Sequence, residues 1–143
     1  EMEYENFNAA GAKVVVHGLN IHPGAAKNKM VNSQLIAMEF QSLLPAAQRP
    51  EHTEGYEGFF HLTDMSGEVE QSTLRYIIRD HDMEKFQARK AFVDNVCKTL
   101  AQKYGADSKK VICDIDSYIA HFLFLSFEKS DVQKDITLCY SIF

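Results

Sequence analysis

Residues 73–79 read TLRYIIR, and the fold class of the chain follows from the pattern within them. Leu74, Tyr76 and Ile78 alternate with residues of which two are arginines, so in an extended strand the three apolar side chains share one face. Alternation over this length is typical of a strand that buries one face and leaves the other in water. The stretch therefore predicts a sheet that is covered by helices on one side only.

The segments on either side of this strand predict five more elements. In chain order they are a strand at 13–18 with three consecutive valines, a helix from about Ala25 that ends at Pro45, a strand at 59–65, a helix from the N-cap Asp82 to Gly105, and a strand at 111–115. The resulting order, β-α-β-β-α-β, predicts an α+β two-layer sandwich of the ferredoxin-like kind. Such a fold has a four-stranded antiparallel sheet with two helices on one face.

The apolar positions of the two predicted helices indicate which residues they bury. In the first helix the predicted stripe is Val31, Leu35 and Met38, widened by Ile36, Phe40 and Leu43. In the second helix the spacing gives Phe86, Val93, Cys97, Leu100 and Tyr104. Residues 48–58 are polar and contain a proline and a glycine, which predicts a loop.

The composition is typical of a globular protein in an aqueous compartment. Of the 143 residues, 45% are hydrophobic and 24% charged, and no apolar run approaches the ~20 residues that span a bilayer. Cys97, Cys113 and Cys139 are widely separated and odd in number, which favours reduced thiols. The first residues, EMEYE, are acidic, whereas a signal peptide begins with basic residues. These features predict a cytoplasmic location and no membrane partner.

Nucleic acid is disfavoured as a partner, although RNA-recognition domains share the predicted order of elements. The formal net charge is −5, and nucleic-acid surfaces need clustered lysine and arginine. An RNA-recognition sheet also needs aromatic side chains on its open face. The exposed positions of the decisive strand, Thr73, Arg75, Ile77 and Arg79, include none.

Five stretches, taken in order and spacing, resemble the peptidase T family of dinuclear zinc tripeptide aminopeptidases. They read YENFNAA at 4–10, HPGAAKNKMVN at 22–32, TEGYEGF at 53–59, YIIRD at 76–80 and DSY at 116–118. The resemblance implies the lid, or dimerisation, domain that these enzymes carry within a larger catalytic domain. It divides the chain into a linker from the catalytic domain (1–10), the lid/dimerisation domain (11–118) and a divergent C-terminal tail (119–143).

The same resemblance implies that this chain holds no metal. The family's zinc ligands lie in the catalytic domain, in patterns that include His-x-Asp and a Glu-Glu pair, and neither string occurs here. A dinuclear zinc site needs about five or six carboxylate and imidazole ligands. We therefore expect two zinc ions in an intact enzyme, no cofactor in this chain, and no hydrolysis by this chain alone.

His22 is the first candidate for a catalytic residue. In the family a lid histidine near this position stabilises the oxyanion of the tetrahedral intermediate, and an imidazolium is chemically suited to donate to that charge. A histidine before Pro-Gly is also common in solvated turns, so the residues alone leave this second interpretation open. In this chain by itself, His22 would have no substrate to act on.

Arg79 and Asn20 are the candidates for substrate binding. The resemblance implies that Arg79 holds the terminal carboxylate of the peptide, for which a bidentate guanidinium is well suited. Pairing of Arg79 with Asp80 or Asp82 is the alternative, and Asn20 could instead shape the turn. Lys27 is a weaker candidate that could simply project into water. The other histidines show no ligand spacing and are expected to be structural or exposed: His17, His52, His61, His81 and His121.

A homodimer is the expected assembly, formed through a sheet edge or a helix face. An exposed edge strand is a template for pairing with a second chain. A stand-alone ferredoxin-like interaction module that dimerises is therefore the alternative function. In either case the chain would have a second copy of itself as its partner, and peptide substrate only together with a catalytic domain.

Overall fold

The computed structural model describes residues 7–105 and the backbone of residues 113–121. The strands and helices are, in chain order, β1 (Asn8–His17), α1 (Ser33–Leu43), β2 (Phe59–Gly67), β3 (Gln71–Asp80), α2 (Met83–Gly105) and β4 (Cys113–His121). Three single 3₁₀ turns lie in the connections, at Pro23–Ala25, Ala46–Gln48 and Pro50–His52.

The strands form one antiparallel sheet in the order β2-β3-β1-β4. Val14 of β1 lies opposite Leu74 of β3, and Phe60 of β2 lies opposite Ile78 of β3. The predicted α+β class, an antiparallel sheet with two helices, is confirmed. Within the described residues β2 forms one outer strand of this sheet, which leaves its backbone edge without a neighbouring strand.

The alternating residues of β3 bury one face of the strand and expose the other, as the sequence predicts. Leu74, Tyr76 and Ile78 are at most 2% exposed, whereas Ile77 between them is 41% exposed. The buried side chains of β3 join those of β1, β2 and both helices in a single hydrophobic cluster. Both helices therefore pack on the same face of the sheet.

The first helix begins later than predicted, and only part of the expected apolar stripe is buried. Asn32 is the N-cap, since its Oδ1 accepts a hydrogen bond from the Gln34 amide at 3.0 Å. Leu35 and Met38 are 59% and 52% exposed. Leu43 is 43% exposed. Ile36 and Phe40 are buried as predicted, together with Ser33 and Ala37. Two apolar stripes with helical spacing compete in this segment, and only the packing against the sheet selects one of them.

The second helix follows the prediction except at its end. Asp82 caps it as expected, with Oδ1 accepting from the Lys85 amide at 2.8 Å. The predicted residues Phe86, Val93, Cys97 and Leu100 are buried. Tyr104 was expected to be buried as well and is 37% exposed.

The exposed Tyr104 takes part in a polar contact between the two helices. The hydroxyl donates to the carboxylate of Glu39 in α1, and Lys103 Nζ lies 2.5 Å from the other oxygen of that carboxylate. These hydrogen bonds, first from Lys103 and then from Tyr104, lower the pKa of Glu39.

The strands at the two ends of the chain are longer than predicted. β1 already begins at Asn8, within the residues assigned to the linker, and β4 continues to His121 rather than ending at 115. The backbone pairing of β1 with both β3 and β4 accounts for this extension. The proposed division at 10 and 118 stays a prediction. Among the described residues no helix is long and apolar enough to cross a bilayer.

Candidate functional site

His22 and Asn20 lie in the segment between β1 and α1, residues 18–32, here called the His22 loop. Leu19 and Val31 close this loop: the amide of each donates to the carbonyl of the other, at 2.7 and 3.0 Å. The exposed side chains of Asn20, His22 and Lys27 are therefore carried on a loop whose two ends are fixed to each other.

Gly18 anchors the beginning of the His22 loop to the turn between β2 and β3. Its amide donates to the Glu70 carbonyl at 2.7 Å. A Cβ atom at this position would lie 2.2 Å from the carbonyl oxygen of Val69 and 2.4 Å from that of Val31. The three backbone segments meet so closely here that only glycine fits.

Ser33 anchors the other end of the loop. Its hydroxyl lies 2.6 Å from the Glu68 carbonyl oxygen and 2.8 Å from the hydroxyl of Ser72, and its amide donates to the Val69 carbonyl at 3.0 Å. Ser33 is 0% exposed and Ser72 1% exposed. Because buried polar groups are costly without partners, this network fixes the start of α1 to the hairpin turn.

His22 itself caps the 3₁₀ turn Pro23–Ala25. Its Nδ1 accepts a hydrogen bond from the Gly24 amide at 3.1 Å, and its carbonyl accepts from the Ala25 amide at 2.8 Å. The residue before a proline is restricted to extended conformations, and His22 has φ −49° and ψ 129°. The imidazole is thus exposed to solvent and hydrogen-bonded to the turn that follows it.

Arg79 lies near the end of β3, on the open face of the sheet and opposite Ala9 of β1 and Phe59 of β2. Its guanidinium carbon is 3.2 Å from the centroid of the Phe7 ring, which is a cation–π stack. Phe7 in turn meets the ring of His81 edge-on, with 6.3 Å between the centroids. The stack holds the guanidinium by its flat face.

Asp80 is engaged elsewhere, on the helix side of the sheet. Its Oδ2 lies 2.7 Å from Nε of Arg89, and its Oδ1 accepts from the Asp82 amide at 3.0 Å. Asp80 is 2% exposed, and Arg89 also donates to Gln48 Oε1 at 2.6 Å. This buried ion pair connects the end of β3 to α2, and the sequence analysis did not find it.

His22 and Arg79 lie at opposite ends of the sheet. His17, which precedes the His22 loop, is paired with Gln71 at the start of β3, whereas Arg79 is close to the other end of that strand. At roughly 3.3 Å for each residue, the distance along β3 from Gln71 to Arg79 is about 26 Å. The fold therefore does not bring the two predicted site residues together within one chain.

Residues 4–108 match the family described as the peptidase dimerisation domain. The chain belongs to this family. Solved structures agree at the level of the fold: aminopeptidase PepT from Bacillus cereus superposes with a TM-score of 0.62 over 86% of this chain and 32% of that protein, at 16% identity.

Curated relatives of this dimerisation domain are peptidase T sequences. Over 107 residues the chain is 60% identical to peptidase T of Geobacillus kaustophilus and 59% identical to peptidase T of an Exiguobacterium species. These matches cover 75% of this chain and 26% of each relative. The chain thus spans about a quarter of the length of these relatives, in agreement with the resemblance inferred from its motifs.

The described part of the dimerisation domain does not provide a zinc site. It contains no group of three or more histidine, cysteine, aspartate or glutamate residues that could hold a metal ion. His17, His52 and His61 are exposed, and His81 is half-buried beside the Tyr56 ring, with 4.8 Å between the ring centroids. His121 falls in β4, of which only the backbone is described.

Several residues that shape the dimerisation domain's site escaped the sequence analysis. Ser72 lies on the same buried face of β3 as Leu74 and Tyr76. A serine at such a position needs a polar partner, so its alternation with the apolar residues could have indicated a hydrogen bond. The Asn32-Ser33 pair was a signal for the start of a helix. The roles of Gly18 and Phe7 could not be predicted from the sequence, because both residues contact segments that are distant along the chain.

Proposed function

We propose that this dimerisation domain serves a zinc tripeptide aminopeptidase of the peptidase T kind, contributes His22 and Arg79 to substrate and oxyanion contacts there, and is catalytically inert by itself. The observation that carries the proposal is the fixed, exposed imidazole of His22 on an anchored loop. The 59–60% identity to peptidase T sequences supports the reaction class.

His22 is suited to stabilise the oxyanion of a tetrahedral intermediate. Donors that are held in place before the reaction stabilise the developing charge without reorganising during it. The turn at Pro23–Ala25 and the closed His22 loop supply this fixed position. Asn20, exposed on the same loop, is the second candidate for contact with the peptide.

Arg79 is suited to hold the terminal carboxylate of the peptide. The stack on Phe7 uses the flat face of the guanidinium, whereas a carboxylate binds to its N–H edge. The ring therefore orients the guanidinium through its flat face.

The separation between the two residues has a consequence for the assembly. An extended tripeptide spans about 10 Å, much less than the roughly 26 Å of β3 between the two ends of the sheet. One peptide therefore cannot contact both residues of one chain. We infer that His22 reaches the active site of the partner protomer in a homodimer, while Arg79 serves the active site of its own chain.

The interface of this homodimer is proposed to combine the edge of β2 with the exposed face of α1. β2 is an outer strand of the described sheet, and Met65 of β2 is 40% exposed on the helix side, opposite Leu74. Beside it α1 exposes Leu35 and Met38, and Gln34 Nε2 donates to the Gly67 carbonyl at 2.7 Å. Backbone edge and apolar side chains together form a surface that a second copy can match about a two-fold axis.

The ferredoxin-like arrangement and a cytoplasmic location belong to the same proposal. The strand order β2-β3-β1-β4 supports the first, and the buried free thiol of Cys97 is consistent with the second. A stand-alone dimerisation module is the second candidate function, favoured by the same β2 edge. In a stand-alone module, unlike in the peptidase domain proposed above, His22 and Arg79 would have no role in catalysis or substrate binding.

A chimeric enzyme tests the proposal. The matching segment of Geobacillus kaustophilus peptidase T is replaced by this chain, and tripeptide hydrolysis is measured with zinc present. We expect the chimera to be active and His22→Ala to lower its kcat about a hundredfold, as for loss of an oxyanion donor. Arg79→Ala should raise KM about tenfold or more, because it removes a charged hydrogen bond to substrate.

Exposed residues of the same types provide the controls. His52→Ala and Arg75→Ala should leave both kinetic constants of the chimera unchanged. The isolated chain with zinc should show no hydrolysis. An active chimera in which His22→Ala and Arg79→Ala behave like these controls would contradict the proposal and favour the stand-alone module.

A further inference from the structure

The contact between His22 and Gly24 determines which ring nitrogen of His22 carries the proton. A backbone N–H can only donate, and that of Gly24 donates to Nδ1 of His22 at 3.1 Å. A neutral imidazole has one protonated nitrogen and one nitrogen with a free lone pair. Since Nδ1 uses its lone pair in this contact, the proton of the neutral ring lies on Nε2.

The sequence His22-Pro23-Gly24 builds this contact from local constraints. Pro23 has no N–H, so Gly24 is the first residue after His22 whose amide can reach back to the cap. Pro23 also restricts His22 to the extended conformation in which the side chain of a cap accepts from the second residue of the turn. The His22 carbonyl is held by the Ala25 amide at the same time.

Gly24 contributes through its missing side chain as well as its amide. A Cβ atom at Gly24 would lie 3.3 Å from Nδ1 and 3.4 Å from Cε1 of His22. The first distance is slightly tighter than ordinary van der Waals contact and the second lies at its limit, so a side chain here would displace the imidazole by a few tenths of an ångström. The glycine thus lets the ring lie close to the Gly24 amide.

We propose that the Pro23-Gly24 turn selects the Nε2-protonated tautomer of His22 and presents Nε2–H outward as a neutral hydrogen-bond donor. The amide of Gly24 is the positioning group. Protonating Nδ1 would replace the acceptor by a second donor facing the Gly24 amide, so the imidazolium loses this contact. The catalytic consequence rests on the proposed function: the group facing the oxyanion is a neutral imidazole whose proton is already in place.

Nuclear magnetic resonance of the ¹⁵N-labelled full chain tests the tautomer directly. The spectra are recorded at about pH 8, where the imidazole of a model peptide is neutral. We expect a scalar coupling across the hydrogen bond between the Gly24 nitrogen and His22 Nδ1, together with ring ¹⁵N shifts of an Nε2–H tautomer. The Gly24 amide should exchange with solvent about fivefold more slowly than in His22→Ala, as for loss of one hydrogen bond.

Two further variants separate the ring contact from the turn itself. His22→Asn keeps a capping acceptor and should keep the slow exchange of the Gly24 amide. Gly24→Ala keeps the amide but crowds the ring, and should weaken the coupling. Absence of the coupling in the unmodified chain would overturn the proposal. So would equal Gly24 exchange rates in the unmodified chain and His22→Ala, or a tautomer mixture at His22 equal to that of exposed His52.

These measurements need neither zinc nor substrate, so their failure is distinct from failure of the proposed function. If the tautomer is observed but His22→Ala leaves kcat of the chimera unchanged, the positioning by Gly24 stands and the oxyanion role falls. If His22→Ala lowers kcat but Nδ1 carries the proton, the oxyanion role stands and the positioning by Gly24 falls.

Discussion

At the scale of single residues, the His22 loop depends on positions where a backbone approaches another backbone. Gly18 touches the turn between β2 and β3 and the end of the loop at once. Asp80 carries a charge into the interior and is matched there by Arg89 and by the Asp82 amide. We expect substitutions at both positions to destabilise the fold. At Gly18 a side chain would collide with neighbouring backbone, and at Asp80 the buried ion pair with Arg89 would be lost.

Gly18→Ala should destabilise the chain strongly. Its methyl group would lie 2.2 Å from a carbonyl oxygen, so the hairpin turn and the loop must move apart, at a cost of about 3 kcal/mol. Gly55→Ala is the matched control: Gly55 has φ 55° but no atom within 4 Å of an added Cβ, and should cost about 1 kcal/mol from its backbone conformation alone. Urea unfolding measures both, and equal losses would refute the close approach.

Arg89→Met should also be costly, because it leaves Asp80 as an uncompensated charge that is 2% exposed. Breaking a buried ion pair from one side costs about 3–5 kcal/mol. The exposed Arg75 provides the control, and Arg75→Met should change the free energy of unfolding by no more than about 0.5 kcal/mol. Similar values for the two variants would mean that Asp80 finds another partner or water.

At the scale of elements, α1 and α2 are joined on their solvent side by a charged contact. Lys103 and Tyr104 of α2 both reach Glu39 of α1. The hydrogen bond from Lys103 is the largest cause that lowers the pKa of Glu39, and the hydrogen bond to Glu39 is the largest cause that raises the pKa of Lys103. The contact is exposed to solvent, so its contribution to stability is small and sensitive to salt.

The direction of these pKa changes predicts a pH dependence. The stabilisation from Glu39 is present above its ordinary pKa of 4.5 and is lost as the pH falls through its lowered pKa. That from Lys103 is present below its ordinary pKa of 10.5 and is lost as the pH rises through its raised pKa. We expect the difference in urea midpoint between the unmodified chain and Glu39→Gln to be largest near neutral pH and to vanish in strong acid. A difference that persists unchanged at pH 2 would show that the contact is not ionic.

At the scale of the whole molecule, His22 and Arg79 lie towards opposite ends of the sheet, with about 26 Å along β3 between Gln71 and Arg79. The β2 edge is open among the described strands. Membership in a dimerisation family gives both facts one explanation. Under the proposed function, two copies would complete two active sites, each with the arginine of one chain and the histidine of the other. The domain would then couple assembly to activity, because a monomer holds only part of each site.

The proposed interface predicts which charges prevent assembly. Leu35→Glu combined with Met38→Glu places carboxylates on the exposed face of α1, where a two-fold axis brings like charges together. Sedimentation of the full chain should show a dimer that dissociates in this variant. Met83→Glu changes an exposed residue of α2 (48%) in the same way and should leave the dimer intact. An unmodified chain that stays monomeric at high concentration would contradict the interface.

The sequence determined those features that are set by neighbours along the chain. The alternation in residues 73–79 and the cap at Asp82 are local, and both were predicted correctly because period and capping depend on adjacent residues only. The motif spacing likewise identified the family. The buried face of α1 was predicted only in part, since two apolar stripes were available and local spacing does not distinguish them. Ile36 and Phe40 are buried, whereas Leu35 and Met38 are exposed.

The geometry of the site depends on contacts between distant segments of the chain. The packing of Gly18 against Val69, the Ser33–Ser72 contact and the stack of Arg79 on Phe7 join segments that are distant in sequence. The opposite placement of His22 and Arg79 follows from the antiparallel pairing of β1 with β3. Such contacts are set by the register of strands and the packing of the core, in which each residue's surroundings depend on the whole chain. This is why the candidate residues could be named from the sequence while their geometry could not.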